Sequence, residues 1–74
     1  MFRVTRKQLI RQGGNVIEFD DSCDFDELAS ADRLQARLLI NEIHQGYQWY
    51  GPFKVIFESP TFYRSVTVTI EEIS

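Results

Sequence analysis

The chain of 74 residues has one cysteine, two prolines and four glycines. A lone cysteine forms no internal bridge, which argues against a small secreted disulfide scaffold and points to a reducing compartment. No apolar run approaches the roughly 18 residues that would span a bilayer. The N-terminal "MFRVTRKQLIRQGG" carries charge but no apolar core, so no signal peptide is expected and the expected address is cytoplasm, bacterial or host. No Gly-rich phosphate loop occurs either, because "QGGN" has neither the P-loop lysine nor dinucleotide-binding spacing. A chain this short buries only about 60% of the surface its unfolded form exposes, which argues against a deep catalytic cavity.

Two further absences concern charge. No acid occurs before Glu18, while Arg3, Arg6, Lys7 and Arg11 all lie in that stretch. No Lys, Arg or His then falls between Gln12 and Arg33, where Glu18, Asp20, Asp21, Asp24, Asp26, Glu27 and Asp32 are found. The formal net charge of -3 hides this separation into blocks. Blocks of one sign say more about partners than the sum does.

With 43% apolar residues the sequence can fold without metal or disulfide, and residues 1–74 read as a single α+β domain. Phe2–Val4 starts a strand. "TRKQLIRQGG" has two readings. Thr5 with Gln8 matches a capping box that Gly13 would terminate, giving a short N-terminal helix. Alternatively Gly13-Gly14 turns a hairpin joining Leu9–Arg11 to Val16–Phe19. Adjacent Leu9 and Ile10 break strand alternation and favour the helix. "NVIEF" reads as a strand of about five residues.

A long helix follows, capped by Asp24 or Ser30 and stopped by Gly46. At about 100° per residue, Leu28, Ala36, Leu39, Ile40 and Ile43 share one face. Ala31, Leu34 and Leu38 form a second stripe, which either serves the core or meets a partner. "YQWYGP" reads as a loop. "FKVIFE" and "SVTVTIEEI" form a hairpin around "SPTFY", with Val66, Val68 and Ile70 inward and Thr67, Thr69 and Glu71 outward. The expected fold is a small antiparallel sheet of three to four strands, one face open and the other covered by the long helix.

The acidic run does not make a calcium loop, since counting from Asp20 puts Phe25 at the glycine position and Ala31 at the terminal glutamate position. No metal or cofactor is expected. Cys23 sits among carboxylates, which oppose thiolate formation, and no orienting group accompanies a Cys23–His44 pair, so no catalytic residues are assigned and the chain is not read as an enzyme. Asp24, Asp26 and Glu27 complement a helix dipole, yet seven acids exceed what one helix end requires.

The leading expectation is a small protein-interaction module or inhibitor, of the kind phage and mobile elements use. It would dock Glu18, Asp20, Asp21, Asp24, Asp26, Glu27 and Asp32 on a basic, nucleic-acid-binding face of a larger protein. Tyr47, Tyr50 and Tyr63 would act as aromatic anchors, while Trp49 and Phe53 read as core. The alternative is a nucleic-acid binder using Arg3, Arg6, Lys7 and Arg11 with the helix pair Arg33 and Arg37, weakened by the net negative charge. A third reading is a homodimer, formed through the Leu34/Leu38 stripe or an open edge of the terminal strand.

Overall fold

The computed structural model describes residues 1–73. Five strands and one helix follow in the order β1 (Phe2–Gln12), β2 (Asn15–Phe25), α1 (Leu28–His44), β3 (Gln48–Gly51), β4 (Lys54–Glu58) and β5 (Phe62–Glu72). The strands form one antiparallel sheet in the order β2-β1-β5-β4-β3. The α+β class stands, but the sheet has five strands because "QWYG" pairs with β4 and is no loop.

The expected N-terminal helix is a strand. Gly13 and Gly14 close a two-residue hairpin, and β1 pairs along its whole length with β2 on one side and β5 on the other. Gly13 has φ +63 while Gly14 does not have positive φ, the pattern of a type II′ turn, whose twist suits a hairpin. Leu9 and Ile10 point to opposite faces, and each is half-buried. Non-local pairing on both sides outweighs the local capping-box signal.

Residue alternation and register assign the two faces. Val4 and Gln8 of β1, Val66 and Val68 of β5 and Val55 of β4 lie under α1, and all are buried. Thr67 and Glu71 look the other way, as the sequence indicates. From α1 come the buried Ala31, Gln35 and Leu39, with Leu34, Leu38 and Ile43 packed partly against the same core. The face holding Leu28, Ala36 and Ile40 turns outward instead, and a glutamine occupies the centre of the buried stripe.

Gln35 has a reason to be there. Val68 lies one residue beyond the last paired residue of β5 opposite β4, Thr67. Its N–H is taken by the Phe53 carbonyl, and its own carbonyl points to the same side with no strand beside it. The Gln35 amide donates to that oxygen at 2.8 Å, satisfying a buried acceptor that would otherwise be costly.

The helix ends as expected at Gly46, φ +99, with Gly46 N–H bonding Ile43 and Tyr47 N–H bonding Glu42, a Schellman closure. Its start differs from expectation. Asp24 is still in β2, Ser30 is inside the helix, and Glu27 flanks the first turn without a side-chain cap.

The molecule measures 41 × 22 × 16 Å with a radius of gyration of 13.3 Å, above the roughly 11 Å of a compact chain this long. Eleven-residue strands extend about 37 Å, whereas a 17-residue helix covers about 25 Å. Much of the β1–β2 hairpin therefore projects beyond the helix. Every residue of β2 except Phe25 is exposed.

Candidate protein-docking surface

Folding the chain about Gly13-Gly14 brings the two charge blocks side by side. Arg3 stands opposite Asp24, Arg6 opposite Asp21 and Lys7 opposite Asp20. Arg3 donates two hydrogen bonds to Asp24, at 2.9 and 3.1 Å, and Arg6 donates two to Asp21, both at 3.1 Å. The bonds from Arg3 hold the Asp24 carboxyl below the usual carboxylate range, against a smaller opposing effect of desolvation. Between them, Thr5 and Ser22 hydroxyls meet at 3.1 Å. Charge that is segregated along the sequence is thus largely complementary in the hairpin.

Strand geometry also divides the acidic run. Glu18, Asp20 and Asp24 project to the open face of the sheet, while Asp21 projects to the helix face. Asp26 lies in the bend before α1, Glu27 flanks the helix, and Asp32 is exposed on it. Among the described residues, Glu18, Asp20, Asp26, Glu27 and Asp32 make no ion pair. No three His, Cys, Asp or Glu side chains there converge as metal ligands would.

Part of the basic set is engaged as well. Besides the two pairs above, Arg11 lies over the Tyr63 ring, 4.6 Å from its centroid. Arg33 and Arg37 are exposed on α1 beside Leu34 and Phe25, where they border a shallow concavity of about 430 Å³. His44 is exposed in the last helical turn and Cys23 is exposed on β2.

The aromatic assignments change most. Trp49, Tyr50 and Phe53 are all exposed, Tyr50 by 71%, so Trp49 and Phe53 are not core residues. Tyr47 and Tyr63 are half-buried: the Tyr47 ring packs 5.5 Å from Phe57, and its hydroxyl accepts from Arg64 at 2.7 Å. Phe53 has φ +63, a conformation unusual for a bulky residue, at the turn of the β3–β4 hairpin. That hairpin forms the opposite edge of the sheet from β2, four strand spacings or about 19 Å away. The acidic run and the exposed aromatics are therefore separate surfaces.

The third reading keeps only a short open edge on the terminal strand. The terminal strand β5 is the middle strand: β1 covers one side along its whole length, while β4 covers the other only over Tyr63–Thr67, so beyond Val68 that side stays open. Among the described residues the free edges belong to β2, β3 and the C-terminal end of β5. Leu34 and Leu38 are half-buried against the core.

Compared with known proteins, the chain matches no family model, no curated protein and no solved structure.

One polar cluster was invisible in the sequence. Arg64 of β5 lies under the C-terminal half of α1 and donates to Glu42 at 2.7 Å, to Tyr47 and to Gln8. Burial opposes its charged form, but the Tyr47 and Glu42 contacts outweigh that and raise its pKa. The cluster ties β1, β5, α1 and the following loop together. Only the pairing of Glu42 with a cation 22 positions away would have revealed it, and no local spacing encodes that.

Proposed function

We propose that the chain is a non-enzymatic protein-interaction module, of the small inhibitor type, that docks the acidic side of its β1–β2 hairpin on a basic face of a larger protein. One observation carries the reading. β2 is an edge strand exposed over almost its whole length, and its unpaired Glu18 and Asp20 sit beside the exposed apolar residues Val16, Ile17 and Phe19. Acidic groups steer and select a basic partner, while the adjacent apolar side chains supply area to bury. Asp26, Glu27 and Asp32 extend the negative surface toward α1. Asp21 and Asp24 contribute less, because their charges are offset by Arg6 and Arg3. Apolar anchors come from the hairpin itself, in place of Tyr47, Tyr50 and Tyr63.

The nucleic-acid reading is less favoured, since Arg3, Arg6 and Arg11 are engaged within the fold, leaving Lys7, Arg33 and Arg37 outside such contacts. The test is capture from a bacterial lysate with and without nuclease, at low and high salt, comparing the natural chain with a Glu18→Gln, Asp20→Asn, Asp26→Asn, Glu27→Gln variant. These positions are outside the ion pairs, so the fold is preserved. The expected result is a basic protein retained at low salt by the natural chain and lost from the variant. Capture that disappears with nuclease, or persists equally in the variant, would overturn the reading.

A further inference from the structure

The backbone at the β2 edge specifies how a partner would attach. In a two-residue hairpin the residues flanking the turn, Gln12 and Asn15, form a hydrogen-bonded pair. Every second residue then bonds the same neighbour. Even-numbered residues of β1 bond β2, and odd-numbered ones bond β5. Two contacts at the sheet margins agree with this parity: Ile73 N–H bonds the Met1 carbonyl on the β1 side, and Val68 N–H bonds the Phe53 carbonyl on the β4 side. In β2, Ile17, Phe19, Asp21 and Cys23 thus bond β1. Val16, Glu18, Asp20, Ser22 and Asp24 direct both their N–H and C=O groups away from the sheet.

Among the described residues nothing pairs with those groups. The free ladder runs for about 27 Å. The same outward-bonding residues place the Glu18, Asp20 and Asp24 side chains on the open face, while Ile17 and Phe19 stand exposed on the helix face. A strand laid on this edge would meet carboxylates on one of its faces and, on the other, Ile17 and Phe19 followed by Asp21, whose charge Arg6 offsets. The opposite side of β2 already shows what fits such a strand: β1, antiparallel, with Arg3, Lys7 and Arg11 on the open face. A second copy of β2 does not fit, because it would bring like charges together.

Resting on the docking function proposed above, we infer that the partner contributes an extended segment, with basic and apolar residues alternating, that adds antiparallel to β2 as a sixth strand. Its basic residues lie opposite Glu18 and Asp20, and its apolar residues lie beside Ile17 and Phe19. Main-chain bonds hold the segment and the alternation sets its register.

The geometry makes an unusual prediction. Directly opposed residues of antiparallel strands point to the same face. The partner's basic residues are therefore also the ones whose N–H groups bond the edge. The probe is an eight-residue peptide of alternating Lys and Val, blocked at both ends, titrated into the full chain and followed by amide NMR. The amides of Glu18, Asp20 and Ser22 should become protected from exchange, whereas Ile17, Phe19 and Asp21, already bonded to β1, should change little. Backbone N-methylation at the Lys positions should weaken binding about tenfold or more, the scale of one or two lost hydrogen bonds. N-methylation at the Val positions should not. Ser22→Pro in the protein should act like the Lys methylation, because that N–H is not used in the fold.

Equal binding by a peptide with its four Lys and four Val in blocks, or equal damage from the two methylation patterns, would overturn strand addition. If Glu18→Gln with Asp20→Asn then abolished that binding, acidic docking would survive without it. Absence of binding by any of the peptides would overturn strand addition, leaving acidic docking to be decided by the capture experiment. Because the methylated peptides probe the unaltered protein, a Ser22→Pro chain that failed to fold would not spare the inference.

Discussion

At the scale of single residues, the least expected group is Arg64. The side chains of Arg64 and Glu42 are only 19% and 14% exposed, so their attraction is little screened and neither is cheaply left alone. Removing one partner strands the other in a site where water cannot replace it fully. Arg64→Ala should cost roughly 2–4 kcal/mol, somewhat less than breaking a fully buried pair. Replacing both, as Arg64→Met with Glu42→Leu, should cost clearly less than the sum of the single changes, since no orphaned charge remains. Urea unfolding of the four proteins in this cycle checks it. Additive losses would mean that the two side chains contribute packing alone.

The hairpin shows at the scale of elements what the sequence could and could not convey. β5 was legible, because Val66, Val68 and Ile70 alternate with polar residues on a strand that is buried on one face. The helix and its Gly46 stop were legible too, since both rest on local signals. β1 and β3 were not. β1 has Leu9 and Ile10 side by side because each face offers that strand some cover, which obscures the period of two. β3 is only four residues long and owes its state to pairing with β4. The charge blocks did hold a usable signal, but it lay in the symmetry of the two blocks about Gly13-Gly14 and not in the composition of either. How the acidic run divides was hidden for the same reason: a strand sends its neighbours to opposite faces. The turn at the centre of that symmetry is testable. Neither glycine has an atom within 4 Å of where a Cβ would stand, so only backbone conformation separates them. Gly13→Ala should destabilise by about 1–2 kcal/mol, while Gly14→Ala, at a φ open to any residue, should be neutral or stabilising by up to about 1 kcal/mol. In a domain this small each kcal/mol moves the melting temperature by about 4–8 °C, so thermal denaturation resolves the pair.

For the whole molecule, the problem is an eleven-residue edge strand bearing Val16, Ile17 and Phe19, the kind of edge that invites pairing between copies. Antiparallel pairing of β2 with itself must match outward-bonding residues, and each well-overlapped register places carboxylates together. Centred on Asp20 it opposes Asp20 to its own copy; shifted one way it opposes Glu18 to Asp20, and shifted the other way Glu18 to Asp24. Like charges directly opposed disfavour a strand pair. The same groups that would admit a basic strand therefore exclude a second acidic one. Glu18→Thr with Asp20→Thr removes the two carboxylates of β2 that no cation holds and leaves two good strand formers. That variant should associate in a concentration-dependent way in sedimentation equilibrium, while the natural chain stays monomeric at the same protein and salt concentrations. Adding Ser22→Pro should reverse the association, because it removes an outward N–H from the middle of the edge without touching the β1–β2 ladder. A natural chain that already dimerises through β2 would show that these charges do not guard the edge, and the sixth strand would then be this protein's own.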